Sequence, residues 1–238
     1  MRNHPPLILL PFVAALVLVV SSPSLFAVNL PTAPGLSYRI AFVTSAGTTA
    51  TSSNIADYNS FVTAHAPTLS ADFGSVTWTA IGSTTSVDAI DNTLTRPTDP
   101  SAPIYNTQGD LVAADNLSLW TLDHSQGIYF DETGSLVYGA VWTGTVADGR
   151  SALGYELGSS SMSVVYGWTL YIDSKWINFG GTLPATGAHS LYGISSIITN
   201  PVPEPGTAGL LYLAGLIVLC PRRIGRPSGS QSARCASK

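Results

Sequence analysis

The chain has 238 residues, of which 10% are charged, where about a quarter is usual in a soluble protein. Its formal charge is −4, but residues 28–203 hold Arg39, Arg96, Arg150 and Lys175 against thirteen acids, a balance of −9. A body so poor in Lys and Arg excludes nucleic acid as a partner, because phosphate contacts need clustered cations.

Residues 1–6 carry Arg2, residues 7–20 form an apolar run broken only by Pro11, and residues 21–27 are small and turn-prone. That order matches a secretory signal peptide. The fourteen-residue run spans about 21 Å as a helix, short of a hydrocarbon core of about 30 Å. Cleavage is therefore expected, after Ala27 or alternatively after Ser24, with an uncleaved anchor as the competing reading. Residues 1–27 are assigned to the export signal and 28–200 to one extracytoplasmic domain. About 170 residues can bury a core without a staple. Both cysteines, Cys220 and Cys235, lie beyond that domain, so its stability has to come from packing.

Within the domain, residues 38–45 (Tyr-Arg-Ile-Ala-Phe-Val-Thr-Ser) are rich in β-branched and aromatic side chains and predict a strand. Residues 54–66 place Ile55, Tyr58, Phe61, Val62 and His65 at spacings of three and four, which predicts the one main helix. Ser52 or Ser53 is its expected N-cap and Pro67 its terminator. Residues 75–83, with Val76, Trp78, Ala80 and Ile81, return to strand.

Beyond Pro103 no helical period persists. Short apolar runs alternate with turn signals at Gln108-Gly109, Glu132-Thr133-Gly134, Asp148-Gly149, Gly180-Gly181 and Thr186-Gly187. Residues 128–145 predict a hairpin about the Glu132-Thr133-Gly134 turn. The expected fold class is α+β, strand- and loop-rich, with its main helix near residues 54–66.

Several short phrases occur in order from Tyr38 to Ile198: Phe42-Val43-Thr44-Ser45, Trp78-Thr79-Ala80-Ile81, Ile104-Tyr105-Asn106, Leu119-Trp120, Val141-Trp142-Thr143-Gly144, Trp168-Thr169 and Leu191-Tyr192. In these the domain resembles a family of bacterial surface domains related to endostatin and the C-type lectin-like fold. Relatives place a cysteine after the final Leu-Tyr, where this chain has Gly193. The resemblance implies binding or display rather than catalysis and carries no ligand with it. A β-sandwich stays the alternative architecture.

No His-Glu-x-x-His, Cys-x-x-Cys, Gly-x-Ser-x-Gly or phosphate-cradling loop occurs in the domain. The chain therefore reads as a non-enzyme more readily than as an enzyme. His65, His124 and His189 are far apart in sequence, with no ligand-like spacing. Asp110, Asp115, Asp123, Asp131 and Glu132 fall in loop-rich sequence where Ca²⁺ would find flexible oxygens, with solvated surface acids as the favoured reading and no cofactor expected. Trp78, Trp120, Trp142, Trp168 and Trp176 offer stacking platforms for sugars, although core packing is expected for most of them.

After Asn200 the chain reads Pro201, Val202, Pro203, Glu204, Pro205, Gly206, then an uncharged apolar stretch over 207–220, then Pro221, Arg222, Arg223 and Arg226. The prolines hold the backbone extended. The apolar stretch predicts a short transmembrane helix, and the arginines put its end in the cytoplasm and the domain outside. Pro203-Glu204-Pro205, a short apolar helix and an Arg cluster together resemble the PEP-CTERM sorting signal of bacterial exoproteins. The resemblance implies recognition by an exosortase, with Pro203, Glu204 and Pro205 as the sorting motif and Arg222 and Arg223 as the stop-transfer cluster. Residues 224–238 extend past the point where such tails usually finish, and a proline linker before an ordinary anchor is the competing reading of residues 201–238.

The expected protein is thus exported, held at the cytoplasmic membrane at least transiently, and then surface- or matrix-associated. Its expected partners are an exosortase-like enzyme, the membrane and exopolysaccharide. A secreted hydrolase of polysaccharide or protein, using acids such as Asp115 and Asp123, is the alternative.

Overall fold

The computed structural model describes residues 30–121 and 124–202. The export signal, Asp123, the sorting motif at Pro203, Glu204 and Pro205, the apolar stretch 207–220 and the cluster at Arg222 and Arg223 lie outside these residues. Among the described residues no helix is long and apolar enough to cross a membrane.

In chain order the strands are β1 (Ser37–Val43), β2 (Trp78–Ala80), β3 (Ile104–Tyr105), β4 (Leu111–Ala113), β5 (Ala140–Trp142), β6 (Ser163–Trp168), β7 (Thr182–Pro184), β8 (Ser190–Ser195) and β9 (Ile198–Thr199). The α-helices are α1 (Ile55–Ala64), α2 (Ala89–Asn92) and α3 (Asn116–Trp120). The strands join one mixed sheet in the order β4-β3-β1-β8-β5-β6-β7, with β2 added on β8 and β9 on β1. A sheet-rich α/β fold with few helices results. It is one sheet covered on both faces, not the two packed sheets of the alternative sandwich.

Strand β1 organises this arrangement because its side chains alternate between two cores. Tyr38, Ile40 and Phe42 enter one core and Ala41 and Val43 enter the other. Strands buried on both faces read as continuous apolar runs, as this one does. Helix α1 covers the first face through Tyr58 and Val62, which belong to one core with Phe42, Trp78 and Trp142. The second face is covered by Ala89 of α2, Leu119 and Trp120 of α3, and Trp176.

The main helix forms where its periodicity predicts, over Ile55–Ala64, but its N-cap is Asn54 rather than Ser52 or Ser53. The Asn54 side chain accepts from the Ala56 N–H at 3.2 Å, while the Ser52 hydroxyl instead donates to Asp57 at 2.6 Å. The helix α3 departs from the strand-only expectation after Pro103. Five residues are too few for a period to register in sequence, and Asp115 caps the turn by accepting from Ser118 N–H at 2.7 Å. The expected hairpin over 128–145 is shorter than predicted. Phe130 bridges Leu136 around the turn, where Gly134 takes φ +79°, whereas β5 departs to pair with β6 and β8.

The two ends of the described chain are stitched together. Gly35 N–H donates to Asn200 O at 3.1 Å, and the Asn200 side-chain amide donates to Pro31 O at 2.7 Å and Ala33 O at 2.9 Å. Ser37 and Tyr38 pair with Thr199 and Ile198 at the same end of the sheet.

Gly193, at the position of the cysteine in the resembled family, lies in β8 directly opposite both Phe42 and Ala80. A Cβ there would stand 2.5 Å from the Phe42 ring and 2.6 Å from a Val62 methyl. The volume a side chain would need is already filled from β1 and α1. Overpacking of this kind costs about 1–3 kcal/mol. Gly193→Ala is therefore expected to lower unfolding stability by that amount in urea titration, and a change below about 0.5 kcal/mol, the size of an ordinary surface substitution, would show that Phe42 and Val62 yield freely.

Candidate binding surface

Of the five tryptophans, Trp78, Trp120, Trp142 and Trp176 are buried, so core packing accounts for most of them as expected. Trp168 is half-buried, at the end of β6. Around it the segment 166–179 brings together Tyr166, Tyr171 and Phe179, all half-buried. Phe179 is the hub, with ring centroids 5.5 Å from Tyr166, 5.4 Å from Trp168 and 5.6 Å from Tyr171. Lys175 holds its ammonium 5.0 Å from the Tyr171 ring centre, a cation–π distance.

Backbone pairing fixes this cluster in place. Phe179 N–H donates to Tyr166 O at 2.8 Å, and Trp168 lies opposite Ala140 of β5. Thr169 and Gly139 exchange hydrogen bonds of 3.2 Å that carry the pairing one step further, toward the 62%-exposed Tyr138. Leu170 and Ile172, 51% and 47% exposed, stand beside it in sequence. Half-buried rings gathered in a segment that also carries the exposed Leu170 and Ile172 make a candidate contact surface.

Strand direction locates the cluster on the domain. Strand β8 runs antiparallel to β1, β5 parallel to β8, and β6 antiparallel to β5, so β6 runs away from the joined chain ends, as β1 does. Tyr38 is level with Ile198, Val43 with Tyr192, Val141 with Ser190, and Trp168 with Ala140. At about 3.3 Å per residue, Trp168 stands roughly 25 to 30 Å from the chain ends, at the opposite pole.

Among the described residues the other sequence candidates do not converge, and Asp123 lies outside them. Among the described residues no three His, Cys, Asp or Glu side chains gather as a metal group would require. Each acid serves its own loop: Asp110 accepts from the Asn106 amide at 3.2 Å, Asp131 accepts from Thr133 and Ser135 N–H at 2.8 Å, and Glu132 bonds Ser45. Asp115, one of the two acids assigned to a hydrolase, commits its carboxylate to the α3 cap. The Ser118 N–H hydrogen bond holds it below its usual pKa range. His65 bonds Phe61 O at 2.8 Å, His124 bonds Leu119 O at 2.9 Å inside the core, and His189 sits edge-on to Trp142 at 4.7 Å. Burial pushes the His189 pKa down, favouring its neutral form.

Tyr166, Tyr171, Phe179 and Lys175 do not stand out as site residues in the sequence. The signal available is density: Tyr166, Trp168, Tyr171, Trp176 and Phe179 fall within one short segment. Compared with known proteins, the chain matches no family model and no curated protein.

Proposed function

We propose that this is an exported, non-enzymatic envelope or matrix protein that binds saccharide through the aromatic cluster around Phe179. The observation that carries the proposal is polarity of placement: the joined chain ends leave the sheet at one pole, and Trp168 with its ring neighbours occupies the other. A domain carried on an export signal and a membrane tail would present that cluster outward. The C–H face of a sugar ring is complementary to the electron-rich face of an aromatic ring, so clustered tilted rings suit a glycan.

The composition supports the same reading. Charged residues make up only 10% of the chain, so few charged side chains compete for its surface. In this account residues 201–238 are a PEP-CTERM-type sorting tail: Pro203, Glu204 and Pro205 are read by an exosortase, the helix over 207–220 holds the chain in the membrane, and Arg222 and Arg223 stop its transfer. A C-type lectin-like fold, with its disulfide position taken by Gly193, fits display rather than catalysis.

Two experiments test the proposal. Trp168→Ala and Tyr171→Ala alter half-buried rings, so each is expected to weaken retention on the producing strain's exopolysaccharide about tenfold or more with little loss of melting temperature, as loss of a stacking ring does. Retention equal to wild type in both variants contradicts saccharide binding by this surface. Expressed with a tag at each end beside an exosortase, the mature surface form is expected to keep the N-proximal tag and lose the C-terminal one. Persistence of the C-terminal tag contradicts processing.

A further inference from the structure

Arg39 is the one cation of the domain placed inside β1, and it is only 4% exposed. No carboxylate forms an ion pair with it among the described residues; the paired arginines are Arg96, with Asp91, and Arg150, with Asp148. Asp99 acts on it through space, and burial still lowers its pKa. Its guanidinium donates instead to three backbone carbonyls, through Nη1 to Thr93 O at 3.0 Å and Ser195 O at 3.1 Å, and through Nη2 to Leu94 O at 2.9 Å. Of its five N–H groups, Nε–H is buried with no partner and one on Nη2 is unengaged. A buried charge held only by carbonyl dipoles is costly unless something completes its coordination.

A cavity of about 230 Å³ opens over this arginine. Thr77 and Thr79 line it together with the apolar residues Leu94, Pro100 and Ile197. Leu94 is itself strained, with φ +52°, a conformation that a non-glycine residue adopts at a cost. That turn of the backbone aims its carbonyl at Arg39 and swings the segment after α2 into the cavity wall. The cavity lies beside Ser195 and Ser196, toward the joined chain ends and away from the pole where Trp168 stands.

We propose that the cavity binds one sugar acid, its carboxylate on Arg39 and its ring between the threonine hydroxyls and the apolar wall. Nε–H is closed off from the cavity, so a carboxylate oxygen meets the remaining Nη2–H together with the guanidinium charge, a charge-assisted contact. Threonine hydroxyls alternating with apolar carbons match a ring that carries both hydroxyl groups and C–H faces. The volume lies below the roughly 300–1,000 Å³ of pockets for larger ligands, so one ring fits and a chain segment does not. The site is separate from the aromatic cluster, and loss of either leaves the other intact.

The test is calorimetric titration of the purified protein with sodium glucuronate, a short oligoglucuronate, glucose and inorganic phosphate. Glucuronate is expected to bind while glucose and phosphate bind at least about tenfold more weakly, because neither pairs a planar carboxylate with a sugar ring. Tighter binding of the oligomer per molecule assigns the group to a chain end, and equal binding assigns it to the free acid. Arg39→Lys removes the Nη2 donor, and Thr77→Trp fills the rim without touching the buried hydrogen bonds. Both are expected to abolish glucuronate binding while Trp168→Ala does not. Unchanged affinity in folded Thr77→Trp, or no heat with glucuronate in the wild type, overturns the proposal.

Discussion

Everything in this domain hangs on the burial of β1 from both sides. Its residues from Tyr38 to Val43 are all buried, and the apolar ones divide between the two cores. Its edges are occupied as fully as its faces: β3 pairs along one and β8 and β9 along the other. A strand so enclosed requires cover on both sides of the sheet, which is why α1 lies on one face and α2, α3 and the Trp176 segment on the other. With no cysteine in the domain, this two-sided packing is the source of its stability.

The same pairing gives the domain its direction. Because β9 returns beside the start of β1, entry and exit share one end of the sheet, and because β6 runs with β1, its last residue reaches the other end. The polarity separates two chemically different surfaces. The distal one is a cluster of rings around Phe179, and the proximal one is a small cavity floored by a cation that has no ion pair among the described residues. In a body whose balance is −9, such a cation is uncommon, and the fold commits three backbone carbonyls to hold it.

Periodicity makes part of this legible. The apolar run at 38–45 and the three-and-four spacing at 54–66 locate β1 and α1 to within two residues, since each has its own repeat. What the sequence does not carry is partnership. Nothing local indicates that Ala140–Trp142 leaves its turn to join β6 and β8, or that Asp115 caps a helix of five residues. Gly193 shows the same limit: its meaning depends on Phe42 and Val62, far away in the chain. Four of the tryptophans lie in the core, as expected of large apolar rings, and the fifth becomes informative only beside Tyr166, Tyr171 and Phe179. Arg39 does carry a local signal, a lone cation in an otherwise apolar strand, but its three carbonyl partners come from segments remote in sequence.

The central claim is that the cluster at the distal pole meets saccharide, and Trp168 can report on it because the other four tryptophans are buried. The direct measurement is iodide quenching of tryptophan emission with and without saturating exopolysaccharide. The account predicts that the quenchable fraction belongs to Trp168, is absent in Trp168→Phe, and is shielded when polysaccharide binds. Quenching of Trp168 that stays unchanged at saturation would contradict it.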